Sequence, residues 1–101
     1  MLETLNLASF SEHLNTKFRI HPDDSTVVET ELIEAVDDES TPSQERFSLI
    51  FRGPHQPYLA QSLYRIEHDK MGTLNLFLVP VGKNEDGFEY QAVFNRLHKV
   101  K

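Results

Sequence analysis

The apolar positions of this chain recur with a period of two over most of its length. From Lys17 onward Phe18 and Ile20 fall on one side and Lys17 and Arg19 on the other, the alternation of a strand whose successive side chains point to opposite faces. His21-Pro22-Asp23-Asp24 is turn chemistry and predicts the end of that strand. Thr26 to Val36 is rich in β-branched residues, with Glu29, Glu31 and Glu34 keeping one side wet, and predicts a second strand running into the polar loop Asp37 to Ser43. Arg46 to Arg52 puts Phe47, Leu49 and Phe51 on one face and stops at Gly53-Pro54, where proline withdraws an amide donor from any ladder. Ser62 to His68 alternates Tyr64, Ile66 and His68 against Leu63, Arg65 and Glu67. Thr73 to Val81 alternates Leu74, Leu76 and Leu78 against Phe77, Val79 and Val81. Between these two, Asp69-Lys70-Met71-Gly72 predicts a hairpin with Gly72 in the left-handed position. Pro80 predicts a bulge or an unpaired edge. After the polar turn Gly82 to Gly87, a last strand, Phe88 to Leu97, sets Phe88, Tyr90, Ala92 and Phe94 against Glu89, Gln91, Val93 and Asn95.

Helical signals are confined to the N-terminus. Ser9 followed by Glu12 fits a capping box and predicts a helix of roughly one to two turns, with Leu7, Phe10 and Leu14 toward a core and Asn15 as left-handed terminator. The expected fold is therefore mainly all-β: an antiparallel six-stranded meander forming a small barrel or strongly bent sheet, with one short N-terminal helix. Its expected core is Phe18, Ile20, Phe47, Leu49, Phe51, Ile66, Leu76, Leu78, Tyr90 and Phe94. One connection is long: the arm Gly53 to Gln61 carries Pro54, Pro57 and two large side chains, Tyr58 and Leu59, which predict order rather than a floppy linker.

Composition narrows the function classes. The 101 residues suit one domain spanning 1–101, and seven Phe and three Tyr supply its core. Sixteen acidic against ten basic side chains give a net charge of -6, which opposes nucleic acid and anionic membrane surfaces as partners. The cationic tail Arg96, His98, Lys99 and Lys101 reads as a solvated end, with an acidic partner as the alternative. The absence of cysteine excludes a disulfide scaffold, a thiolate zinc site and a Cys nucleophile. Met1 to Phe10 has no basic leader region, and no apolar run approaches the roughly 20 residues that span a bilayer, so a soluble, cytoplasmic product is expected.

No reactive constellation emerges. His13, His21, His55, His68 and His98 are not placed by local spacing to share a metal, and His21 with Asp23 and Asp24 is accounted for by the turn. Ser48 or Ser62 with His68 and Asp69 lacks the glycine-flanked turn of a hydrolase nucleophile. The acidic run Glu34, Asp37, Asp38 and Glu39 lacks the glycine and terminal glutamate of a calcium loop. No catalytic residue, metal ligand or cofactor is expected. The most site-like group is Arg52, His55, Tyr58 and Gln61, at and along the arm, because loops on a rigid sheet collect recognition residues and Tyr and Arg dominate binding hot spots. The competing reading makes Tyr58 and Leu59 a lid on one barrel end and pairs Arg52 with a carboxylate such as Glu67.

Phe51-Arg52-Gly53-Pro54, Gln61, Tyr64-Arg65-Ile66-Glu67-His68, Leu76-Phe77-Leu78-Val79-Pro80-Val81-Gly82 and Tyr90-Gln91-Ala92-Val93-Phe94-Asn95 carry a resemblance, which Leu7 to Ile20 extends. The chain resembles a bacterial domain-of-unknown-function family of small β-rich proteins; Asp23 to Gln44 fits least, and Ala60-Gln61-Ser62 stands where the family more often has Pro-Gln-Gly. The resemblance implies no activity and no catalytic residues. It implies members encoded near phage-tail-collar-type proteins, and so a role as accessory to a tail-like or fibre protein. The leading expectation is a non-enzymatic interaction or assembly module that binds another protein. The alternatives are a small-ligand-binding barrel or minor hydrolase using the arm and Arg52, and a homo-oligomeric structural protein joining edge strands, for example through Thr26 to Val36.

Overall fold

A computed structural model describes residues 7–38, 41 and 44–97, and the period-two segments within them are six antiparallel strands. Helix α1 spans Leu7–Ser11, followed by β1 (Lys17–Asp23), β2 (Thr26–Asp37), β3 (Gln44–Gly53), β4 (Ser62–His68), β5 (Gly72–Asn84) and β6 (Gly87–Leu97). They close into a barrel in the order β1-β2-β3-β6-β5-β4. Two three-stranded meanders, β1-β2-β3 and β4-β5-β6, are joined edge to edge, and the arm carries the chain between them. Closure gives every strand two neighbours and removes the unpaired edges a bent open sheet would leave.

Two seams in this ring are short. β1 and β4 pair only through Arg19–Glu67, Ile20–Ile66 and His21–Arg65. The β5–β6 ladder starts at the Asn84–Gly87 turn and ends at Val79–Gln91, after a register shift between Pro80 and Gly82. That shift is the bulge Pro80 predicts: the ring nitrogen has no hydrogen to donate, so the ladder skips there.

The alternating faces fall as the periodicity predicts. Of the expected core, Phe18, Ile20, Phe47, Leu49, Phe51, Ile66, Leu76, Leu78 and Tyr90 are buried and Phe94 is partly buried against them. Phe10, Val28, Leu32, Leu59, Tyr64, Leu74 and Ala92 are buried as well. Phe10 and Leu59 plug opposite ends. Phe10, from α1, lies 6.1 Å from Phe47 and 5.5 Å from Phe94 between ring centroids. Leu59, from the arm, is held by its amide, which donates to Tyr90 Oη at 3.0 Å, while Tyr64 Oη donates to the Ala60 carbonyl at 2.5 Å. Each plug contributes the roughly 1.5–3 kcal/mol of a fully buried large apolar side chain.

Three local expectations need correction. The turn expected over Gly82 to Gly87 narrows to Glu85–Asp86, because β5 runs on through Gly82 and Lys83 to Asn84 and β6 starts at Gly87. Ser9 lies within α1 rather than capping it, and Glu12 donates its amide to Ala8 O at 3.1 Å. β1 runs through His21 and Pro22 to Asp23, so the turn falls at Asp24–Ser25. Pro22 is tolerated because the β1–β2 register shifts between Ile20 and Asp23, where no ladder amide is required of it. Asp23 then makes the turn, its carboxylate accepting from the Ser25 amide at 2.9 Å and held below its ordinary pKa by that bond first. Asn15 has φ 65°, as expected of a left-handed terminator. Glu39, Ser40, Pro42 and Ser43 of the polar loop, the Arg96 side chain, and His98, Lys99 and Lys101 of the tail lie outside the described residues.

Candidate functional site

The arm is both lid and surface. Leu59 turns inward, whereas Tyr58 stays 54% exposed with its ring edge-on to Phe88 at 5.0 Å. His55 Nε2 donates to the Asn84 carbonyl at 2.7 Å, and Lys83 sits 5.8 Å above the Phe88 ring. His55, Tyr58, Lys83 and Phe88, together with Gln56 and Pro57, line an open groove of about 600 Å³. Thus His55 and Tyr58 come together. Arg52 does not join them: it projects from the outer wall of β3 and makes long ion pairs with Glu31 (3.9 Å) and Asp86 (4.0 Å). Glu67, its expected partner, lies on β4 and accepts instead from His21 Nε2 at 2.9 Å, a bond that holds its carboxyl below the ordinary range. Gln61 is exposed and outside the groove. Phe88 and Lys83 complete it because the β5–β6 turn abuts the arm, a non-local meeting with no signature in either segment.

A second feature spreads across the outer wall. Leu63 on β4 is opposite Phe77 on β5, Val93 on β6 is opposite Ser48 on β3, and Ser48 is opposite Val36 on β2. Phe77 and Val93 each lie two residues beyond the last β5–β6 pair, Val79–Gln91, and so flank that seam. Leu63 and Val93 are each 63% exposed, Phe77 49% and Val36 45%. The row crosses five strands without a charged residue in it, in a chain of which 26% is charged, and its β3 member is the small, buried Ser48. Among the described residues, charge enters at its borders, with Arg65 on β4, Arg46 on β3 and Glu34 on β2. An apolar centre with a charged rim is the anatomy of an interaction surface.

The third feature gathers at the α1 end of the barrel. His68 is buried at the end of β4, and its Nδ1 accepts from the Lys70 and Met71 amides at 3.0 and 3.1 Å. The ring proton therefore sits on Nε2, which donates to Thr16 Oγ1 at 2.9 Å, and that hydroxyl donates to the His13 carbonyl at 2.6 Å. Burial pushes the His68 pKa below its ordinary value, and the neighbouring His13 pushes in the same direction. His13 and His68, unrelated by local spacing, have ring centroids 4.6 Å apart. Among the described residues, no three or more His, Asp or Glu side chains converge as a metal site would require, and no helix is long and apolar enough to cross a membrane.

The profile of a family described as a domain of unknown function (DUF6916) matches residues 5–94. No curated protein and no solved structure matches the chain.

Proposed function

The chain belongs to the DUF6916 family, a domain of unknown function, and on that footing we propose that it is a non-enzymatic protein-interaction or assembly module whose contact face is the outer wall around Phe77. The observation that carries this reading is the uncharged row Leu63–Phe77–Val93. Leaving such side chains about half in water forgoes roughly 1 kcal/mol apiece, the part of a full burial that is still outstanding, which a docked partner recovers. Buried side chains from all six strands join Phe10 and Leu59 in one core cluster, which favours a surface role over a ligand enclosed in the barrel. The partner class we place first is a tail- or fibre-like protein, on the resemblance described above.

A second copy of the chain is the other occupant the same observation favours. With a net charge of -6, two copies repel one another, and an uncharged face is where they approach at least electrostatic cost. The test is a pull-down from host lysate combined with light scattering of the purified protein, on wild type, on a Leu63→Ser/Phe77→Asp variant and on an Arg52→Ala/Tyr58→Ala variant. A stoichiometric partner or a dimer lost only in the first variant supports the outer wall. Loss only in the second moves the interface to the arm, and a monomer that retains no partner overturns the module reading.

A further inference from the structure

The barrel wall opens where β1 and β4 part. Past their last pair, Arg19–Glu67, Lys17 on one strand and Asp69 and Lys70 beyond the other diverge around a cleft of about 450 Å³, also lined by His13, Thr16 and His68. Two of its lining residues are rings, His13 and the largely buried His68, 4.6 Å apart between centroids, and Phe18 backs His68 from the core at 4.3 Å. The polar groups of His68 and Thr16 are satisfied, consumed by the bonds described above.

At the rim the balance differs. Among the described residues, the His13 ring nitrogens and the Lys70 ammonium make no hydrogen bond or ion pair. Lys17 reaches Glu31 only at 3.9 Å and is mostly exposed. The one acid lining the cleft, Asp69, is turned to Arg19 at 3.1 Å, which offsets its charge. An acidic chain thus presents two ammonium groups and an unpaired imidazole beside the His68 ring. Ammonium groups select oxyanions, and ring faces select an apolar body.

We propose that this cleft binds a small organic anion, its apolar or planar body resting on the His13 and His68 rings and its carboxylate or phosphate held by Lys17 and Lys70, with the His13 ring as an additional donor. The site is separate from the Phe77 wall and stands or falls independently of it.

The test is a two-dimensional NMR titration with benzoate, phenyl phosphate and benzyl alcohol as probes. Benzoate or phenyl phosphate shifts the His13, His68 and Lys70 signals saturably, and the tighter of the two identifies the headgroup. Lys70→Ala weakens binding roughly two- to fivefold, the worth of one exposed ion pair, and Lys17→Ala with Lys70→Ala weakens it further, by about tenfold or more. Lys83→Ala, at the other end of the barrel, leaves it unchanged. Absence of saturable shifts, equal binding of the uncharged benzyl alcohol, or unaltered affinity in the double variant would each overturn the proposal.

Discussion

Gly87 begins β6 at φ 139°, so close to Gly53 that a β-carbon on Gly87 would stand 1.8 Å from the Gly53 carbonyl oxygen. Two costs therefore meet at one position: a backbone conformation reserved for glycine, and a collision with main chain that cannot swing aside as a side-chain tip would. We expect Gly87→Ala to destabilise the barrel by about 3 kcal/mol or more, a large part of a small domain's stability. Gly72 provides the contrast. It has φ 81°, and a β-carbon there would meet nothing within 4 Å, so Gly72→Ala should cost only the conformational strain, about 1 kcal/mol. Urea unfolding of both variants checks this, and equal losses would mean that the Gly87–Gly53 approach is not tight in solution.

The arm's anchoring gives a second contrast. Tyr90 Oη accepts from the amide of Leu59, which is buried, and Tyr64 Oη donates to the carbonyl of Ala60, which is exposed. Tyr90→Phe strands an amide where water does not reach and should cost about 1–3 kcal/mol; Tyr64→Phe frees a carbonyl that water can satisfy and should cost less. Hydrogen exchange at the Leu59 amide is the direct reading: it should accelerate strongly in Tyr90→Phe and little in Tyr64→Phe.

Phe77 illustrates what is legible in the residues and what is not. Its outward direction follows from the alternation against Leu74, Leu76 and Leu78, and the same reasoning orients Leu63 and Val93 one strand at a time. That the three make one surface depends on β6 lying between β3 and β5, and strand order is decided by which edges meet, long-range information absent from any local period. The His13–His68 contact is invisible to local spacing for the same reason. Arg52 pairs with Glu31 rather than Glu67 because Glu31 becomes its cross-strand neighbour through the β2–β3 register, which no single segment encodes. The turn after β1 falls later than Pro22 suggests because a proline at a bulge and a proline at a strand end look alike in sequence.

If the outer wall is a contact face, its apolar residues serve association and not folding. Phe77→Asp removes a half-exposed ring whose neighbours are themselves exposed, so the unfolding midpoint should move by no more than about 0.5 kcal/mol in equivalent stability. Phe47→Ala, at a fully buried position on the opposite face of the sheet, should cost about 3–5 kcal/mol. A Phe77→Asp loss comparable to that of Phe47→Ala would show that Phe77 is part of the core and would remove it from any argument about partners.

His68 couples the turn after β4 to pH. In the folded chain it is neutral, with Nδ1 engaged as an acceptor by two amides, and burial holds its pKa below the ordinary 6.5. His13, Arg19 and Lys70 also disfavour its charge, and only Asp69 favours it. Between the ordinary value and the lowered one, the unfolded chain binds a proton that the folded chain does not, so stability is fully present above the ordinary value and is lost as pH falls toward the folded one. Protonation also places an N–H where the Lys70 and Met71 amides already point, which removes their acceptor. Urea unfolding at about pH 7.5 and about pH 5 should therefore show a lower midpoint in acid. Glu67 and Asp23, both with lowered carboxyl values, contribute losses only below the ordinary carboxylate range and do not confuse this window. His68→Gln removes the titrating group and should narrow the gap between the two midpoints, even though the variant is less stable at both; an undiminished gap would place the pH sensitivity at another histidine.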